Sequence, residues 1–327
     1  MSASRKLRGI AVLLSVVLIA ACSGSAPSDD QSASPALSPG STATPTPTAV
    51  PAATTTPART GELFALSGRD SSLWTLGDNG NWSRIRTIDG ASALVSSSGG
   101  IAVASSTTVH ILAATDPSVD ARAVQLEWPG SPGRVASLDV SDDGRFAMAV
   151  GVPGSASYAV ASTDGAIPAL EPPSSQPFAP LVAWLDGGRR LVLTTDVEQV
   201  SRLSILDAAG LDTPLPGLRG CRWFGVSGDR KTIVAATDSA VYVGSTALWL
   251  AGDAPKKVVA VPDGSVVWGL ALNRDGGKVA FFEGRVADDG AVQDVHERIL
   301  EGDSAGWGLV SDTAVPFQDP VGQAWAS

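Results

Sequence analysis

The chain has 327 residues, with 33 acidic against 23 basic side chains and a formal net charge of −10 at neutral pH. That acidity argues against nucleic acid as a partner and against a domain that slides along anionic lipid. Two cysteines and two histidines exclude a disulfide scaffold and argue against a zinc, iron or copper centre.

The first residues, "MSASRKLRGIAVLLSVVLIAAC", carry a basic start (Arg5, Lys6, Arg8) and then an apolar run from Ile10 to Ala21. This is the pattern of a secretory signal. The run falls well short of the ~20 apolar residues that span a bilayer. The stretch Ile19-Ala20-Ala21-Cys22 resembles the lipobox of bacterial lipoproteins. The resemblance implies cleavage after Ala21, a diacylglyceryl thioether on Cys22, and a domain held on the outer side of a cell membrane. Each buried CH₂ of an acyl chain contributes ~0.8 kcal/mol, and two or more chains give a stable anchor. Removing residues 1–21 takes away three positive charges and moves the net charge from −10 to −13.

Residues 22–60 then read as a lipidated cysteine followed by a tether of Ser, Thr, Ala and Pro with no aromatic residue. Such a segment buries too little apolar area to offset its ordering entropy. Its reach is ~120 Å if extended as polyproline II and ~35 Å as a flexible coil.

Residues 61–327 read as short apolar strands cut by Gly, Asp, Asn and Pro turns. Five strand–turn–strand units recur: "ALVSSSGGIAVASS", "SLDVSDDGRFAMAV", "LVAWLDGGRRLVLTT", "WFGVSGDRKTIVAAT" and "GLALNRDGGKVAFFE". Their turn positions fall at Gly100, Gly144, Gly188, Arg230 and Gly277, with steps of 44, 44, 42 and 47 residues. A propeller blade takes about 40–45 residues. "SLDVSDDGRFAMAV" and "LALNRDGGKVAFFE" resemble the repeats of TolB-type, WD-like β-propellers. The fourth unit departs from that pattern, with Gly228-Asp229-Arg230 in place of Asp-Gly, and the Trp-Asp signature is absent.

The period places the next inner strand near residue 322, where "PVGQAWAS" stands. At the other end, "ELFALSG", "SLWTLG" and "WSRIRTI" read as three strands that lack an inner partner. The expected fold is therefore all-β, a six-bladed propeller whose first blade is closed by the C-terminal strand. A seven-bladed ring is the lesser alternative. Trp184, Phe224, Trp268 and Trp325 fall on inner strands, and Trp74, Trp249 and Trp307 on or near outer ones, as packing residues.

Chemistry is sparse. His110 sits in an apolar strand and His296 among local charges, and no nucleophile elbow or phosphate-binding glycine loop occurs. Cys221 has no partner if Cys22 is lipidated, and reads as a small buried hydrophobe on a strand. No metal and no cofactor are expected. The acidic pairs Asp142-Asp143 and Asp288-Asp289 are explained by turns and loop solvation.

In a four-stranded blade the b–c and d–a connections share one face of the ring. That face carries Trp128, Phe178 and Phe317 in loops, with Glu283, Arg285, Asp288 and Asp289 in the longest b–c insertion. These seven residues are the candidate binding face. The expected function is a lipid-anchored, extracytoplasmic, non-enzymatic interaction or sensing module with an envelope protein as partner. The alternatives are a small-molecule or glycan binder using the central funnel, and a propeller lyase or hydrolase.

Overall fold

The computed structural model describes residues 62–152, 158–168, 178–185, 188–195, 200–207, 209 and 212–326. The expected signal peptide, Cys22 and the tether lie outside the described residues, as does the side chain of Phe178. No helix among the described residues is long and apolar enough to cross a membrane.

In chain order, β1 (Leu63–Ser67), β2 (Ser72–Leu76) and β3 (Trp82–Thr87) supply three strands of blade 1. Blade 2 is β4 (Ala93–Ser97), β5 (Gly100–Ala104), β6 (Thr108–Ala113) and β7 (Asp116–Gln125). Blade 3 contains β8 (Val135–Val140), β9 (Phe146–Gly151) and β10 (Tyr158–Thr163). Blade 4 is β11 (Phe178–Trp184), β12 (Arg190–Thr195), β13 (Ser201–Leu206) and β14 (Asp212–Arg219). Blade 5 is β15 (Trp223–Val226), β16 (Thr232–Ala236), β17 (Ala240–Ser245) and β18 (Lys256–Ala260), with a short helix α1 (Thr246–Leu250) between the last two. Blade 6 is β19 (Ser265–Leu272), β20 (Lys278–Val286), β21 (Val292–Gly302) and β22 (Trp307–Ala314). Finally β23 (Pro320–Trp325) returns to blade 1 and pairs antiparallel with β1.

The result is a six-bladed β-propeller. Blades 3 and 4 are continuous through one backbone pair, Tyr158 opposite Phe178. The second strand of a blade is its most apolar, because a neighbouring blade covers each of its faces. All five residues of β5 (Gly-Ile-Ala-Val-Ala) are buried, as are all five of β1.

Ring closure follows the sequence expectation. The register sets Leu63 opposite Trp325, Phe64 opposite Ala324 and Ala65 opposite Gln323. Alternation along β23 then divides its side chains between two seams. Ala324 joins the core against blade 2, while Trp325 packs against Ala271, Ala280 and Ile299 of blade 6.

The turn period is corrected in two places. The left-handed residue is Gly99 rather than Gly100 in blade 2, and Gly276 rather than Gly277 in blade 6. Gly100 is instead the first residue of β5, where an added Cβ would lie 2.0 Å from the Leu112 carbonyl oxygen. Trp249, expected on or near an outer strand, lies on α1 between β17 and β18, where its indole N–H donates to the Pro216 carbonyl at 3.2 Å. Cys221 lies in the link between β14 and β15, not on a strand, and it is fully buried.

Candidate functional site

The first strands of the six blades surround a central channel of about 350 Å³. Each blade contributes an aliphatic side chain to its wall: Val321, Val95, Leu138, Val182, Val226 and Leu270, from blades 1 to 6 in turn. Hydrogen bonds stitch successive inner strands together. Ser92 donates to the Val135 carbonyl at 2.6 Å, and the Val182 N–H donates to the Ser137 hydroxyl at 2.9 Å. Between blades 6 and 1, the Trp268 indole donates to the Pro320 carbonyl at 2.7 Å.

The channel wall holds three charged residues, Arg134, Asp139 and Arg230. Two of them neutralise each other. Arg230 Nη1 lies 2.6 Å from Asp139 Oδ2, and its Nη2 donates to the Val140 carbonyl at 2.7 Å. Asp139 Oδ2 also accepts the Trp184 N–H at 2.6 Å. Burial pushes the Asp139 carboxyl above its ordinary value, and the Arg230 charge offsets part of that shift. Arg230 occupies the turn position at which four other blades place glycine (Gly99, Gly144, Gly188 and Gly276), with φ of 61°. A non-glycine side chain there costs about 1–2 kcal/mol. Backbone strain of this kind persists where surrounding contacts over-determine it. Here the contacts are those of a guanidinium that reaches from blade 5, past blade 4, to blade 3.

The opposite end of the channel is built differently. Arg134 stands just before β8, and its carbonyl accepts the Gly151 N–H at 2.8 Å. Tyr158 pairs with Gly151 across β9 and β10. The Trp128 ring covers Gly133, where an added Cβ would lie 2.9 Å from it, and its indole donates to the Ser106 carbonyl at 2.7 Å.

A second recess, of about 320 Å³, lies on blade 6 and gathers Glu283, Arg285, Asp294, His296, Arg298 and Asp312. His296 Nδ1 sits 2.6 Å from Asp312 Oδ1, while Arg298 bridges Asp312 at 3.5 Å and Glu283 at 3.3 Å. Burial raises the Glu283 pKa, with Arg298 opposing the shift. Above the recess, the β20–β21 hairpin carries Val286 opposite Val292, 41 % and 45 % exposed. Its turn holds Asp288 and Asp289, with Asp289 accepting the Ala291 N–H at 2.9 Å.

Of the seven residues expected on the binding face, the structure thus gathers Glu283, Arg285, Asp288 and Asp289 on one hairpin. Phe317 is buried between blades, stacked on Trp74 at 5.1 Å and edge-on to Trp82 at 5.4 Å. Trp128 lies at the Arg134 end of the channel, in the connection between blades 2 and 3 rather than on that hairpin. His110 Nδ1 contacts Asp120 at 2.8 Å, and Arg86 joins Asp120 at 3.0 Å. Burial works against the Asp120 charge, but the bond from His110 and the charges of His110 and Arg86 hold its pKa below the ordinary range. Among the described residues no group of three or more His, Cys, Asp or Glu is placed to hold a metal ion.

Sequence reasoning missed Arg134, Asp139 and Glu297. Glu297 is fully buried in the closure seam, with neither carboxyl oxygen hydrogen-bonded. It projects between Val295 and Ile299, which pack against blade 1 around Trp82. The Trp82 and Trp325 indole nitrogens and the Gln323 amide are likewise buried without a partner. The signal was one of phase: Glu297 interrupts an apolar alternation from Val295 to Ile299.

No protein-family model matches the chain. No curated protein matches it either. Solved structures do. TolB from Acinetobacter baumannii superimposes with a TM-score of 0.55 at 12 % identity, covering 81 % of this chain and 66 % of that one. The chain therefore spans just under two thirds of that protein. A protein described as TolB from Agrobacterium tumefaciens gives a TM-score of 0.52 at 13 % identity, covering 78 % of this chain and 90 % of that one. A periplasmic gluconolactonase from Pseudomonas aeruginosa gives a TM-score of 0.49 at 13 % identity, covering 82 % of this chain and 99 % of that one. At these identities the likeness is one of fold and not of function. The fold is that of the TolB-type six-bladed β-propellers.

Proposed function

We propose that the chain is a propeller tethered through a lipid on Cys22 to the outer side of a cell membrane, where it acts as a non-enzymatic interaction or sensing module. The β20–β21 hairpin is the observation that carries this reading. Its two strands, of 9 and 11 residues, are among the longest in the ring. They present an exposed Val286–Val292 pair beside Arg285, Asp288 and Asp289. An exposed apolar spot rimmed by charge suits docking onto a protein. The conspicuous acid–base groups, by contrast, are engaged in pairs with one another, as in His110–Asp120 and His296–Asp312.

The test is in-cell crosslinking of the full-length chain, followed by affinity purification and mass spectrometry, with Cys22→Ala as control. One membrane or wall protein recovered near stoichiometry, and lost in the control, supports the reading. Recovery of no enriched partner refutes it. A second reading, a small-ligand module, is favoured by the 350 Å³ channel, whose size and apolar wall suit such a ligand.

A further inference from the structure

We propose that the central channel takes a small apolar molecule carrying a single acidic group, with the acid held by Arg134 at the channel end bearing Tyr158 and Trp128. This rests on the second reading above and adds to it the charge and orientation of the ligand.

The argument begins with the charges. The wall carries three, and the ion pair of Asp139 with Arg230 cancels two. Arg134 is left as the one uncompensated charge on the wall. Its side chain is exposed and has no hydrogen-bond or ion-pair partner among the described residues. In a chain of net charge −10, an unpaired guanidinium at the mouth of an apolar bore is the local exception. A guanidinium presents a planar fork that matches a carboxylate, sulfonate or phosphate.

The second part of the argument is polarity along the axis. Arg134 and Asp139 are five residues apart on or beside β8, so their ends of the channel stand about 17 Å from each other. The Asp139 end has its hydrogen-bonding capacity spent on Arg230, Val140 and Trp184. Between the ends the wall is aliphatic and aromatic, with Leu138, Phe224 and Leu270. A molecule with one acidic end and an apolar body matches this gradient in one orientation, acid toward Arg134. Tyr158, one strand over and flanking the same Gly151, brings a hydroxyl donor to that end.

The test uses the full chain and two probes that share a ring system, 2-naphthalenesulfonate and the uncharged 2-naphthalenemethanol, in isothermal titration calorimetry. The sulfonate is expected to bind saturably at one site, and the alcohol about tenfold or more weaker. Arg134→Ala should remove that advantage and leave the alcohol unchanged. Gly322→Val fills the channel from a position where an added Cβ meets only ordinary contacts, at 3.8 Å and beyond, and should abolish both. Ser96→Leu, from the neighbouring inner strand β4, is the second filling variant should the first fail to fold. If neither probe binds, the small-ligand reading falls. If both bind alike, or Arg134→Ala changes nothing, the acidic ligand is overturned while the reading stands. Binding that survives both filling variants lies outside the channel and overturns both.

Discussion

Arg230 in blade 5 holds Asp139 in blade 3 across a sequence distance of 91 residues, through contacts of 2.6 and 3.2 Å. Asp139 is 4 % exposed and Arg230 17 %, so the pair is effectively a buried one. Removing one partner of such a pair costs about 3–5 kcal/mol, because the other charge stays buried and unpaired. Arg230→Ala is expected to destabilise by that amount in chemical denaturation. Arg230→Gly should cost about 1 kcal/mol less, since glycine accepts the left-handed backbone that alanine strains. A glycine variant as stable as the parent would show that the pair contributes nothing net.

The closing strand makes its own prediction. Deleting residues 319–327 removes five register pairs with β1 and leaves β1 as an unpaired edge. It also removes Trp325, which is 6 % exposed. Trp325→Ala alone should cost about 3–5 kcal/mol. The deletion should unfold the domain at temperatures where the parent is folded, as read by circular dichroism.

Glu297 sets a pH dependence. Burial raises its pKa well above the ordinary 4.5, and no charge from either blade offsets the shift. The charged groups nearby face elsewhere: Glu283, His296, Arg298 and Asp312 line the blade 6 recess, and Arg84 with Asp70 forms a half-exposed pair on blade 1. The folded state therefore binds this proton more tightly than the unfolded state. Stability tied to the neutral carboxyl is complete below about pH 4.5 and is lost as pH rises through the raised folded-state value. Glu297→Gln should raise the melting temperature at pH 8 and flatten its decline between pH 5 and 8. An unchanged pH profile would mean that the carboxyl is solvated.

Cys221 should be inert. It is fully buried, its Sγ contacts the Trp223 carbonyl at 3.3 Å, and burial pushes the thiol up to about 12. Thiolate is the reactive form, so maleimide at pH 8 should label this residue only after denaturant is added.

Residue patterns made the ring legible because each blade repeats one physical problem. An apolar second strand covered on both faces, a tight turn and a period near 44 residues left traces at Gly144 and Gly188, and the same period located β23. The Gly99 and Gly276 turns were displaced by one residue because Ser98-Gly99-Gly100 and Gly276-Gly277 each offer two glycines. Arg230 was visible as a departure from glycine, but its partner was not, since no local pattern links residues 91 apart. The site was less legible than the fold. Glu283, Arg285, Asp288 and Asp289 lie on one hairpin and share one stretch of sequence. Arg134 and Tyr158 meet only through strand pairing at Gly151, which composition cannot show.

The central claim, a propeller that docks a protein partner through the β20–β21 hairpin, is tested most directly by site-specific photocrosslinking in cells. A photoreactive residue would replace Val286 or Val292 at the hairpin tip, with Asp143 in the blade 3 turn on the opposite face as control. The account predicts one discrete crosslinked protein from both tip positions and none from position 143. No product from the tip, or the same product from both faces, would contradict it.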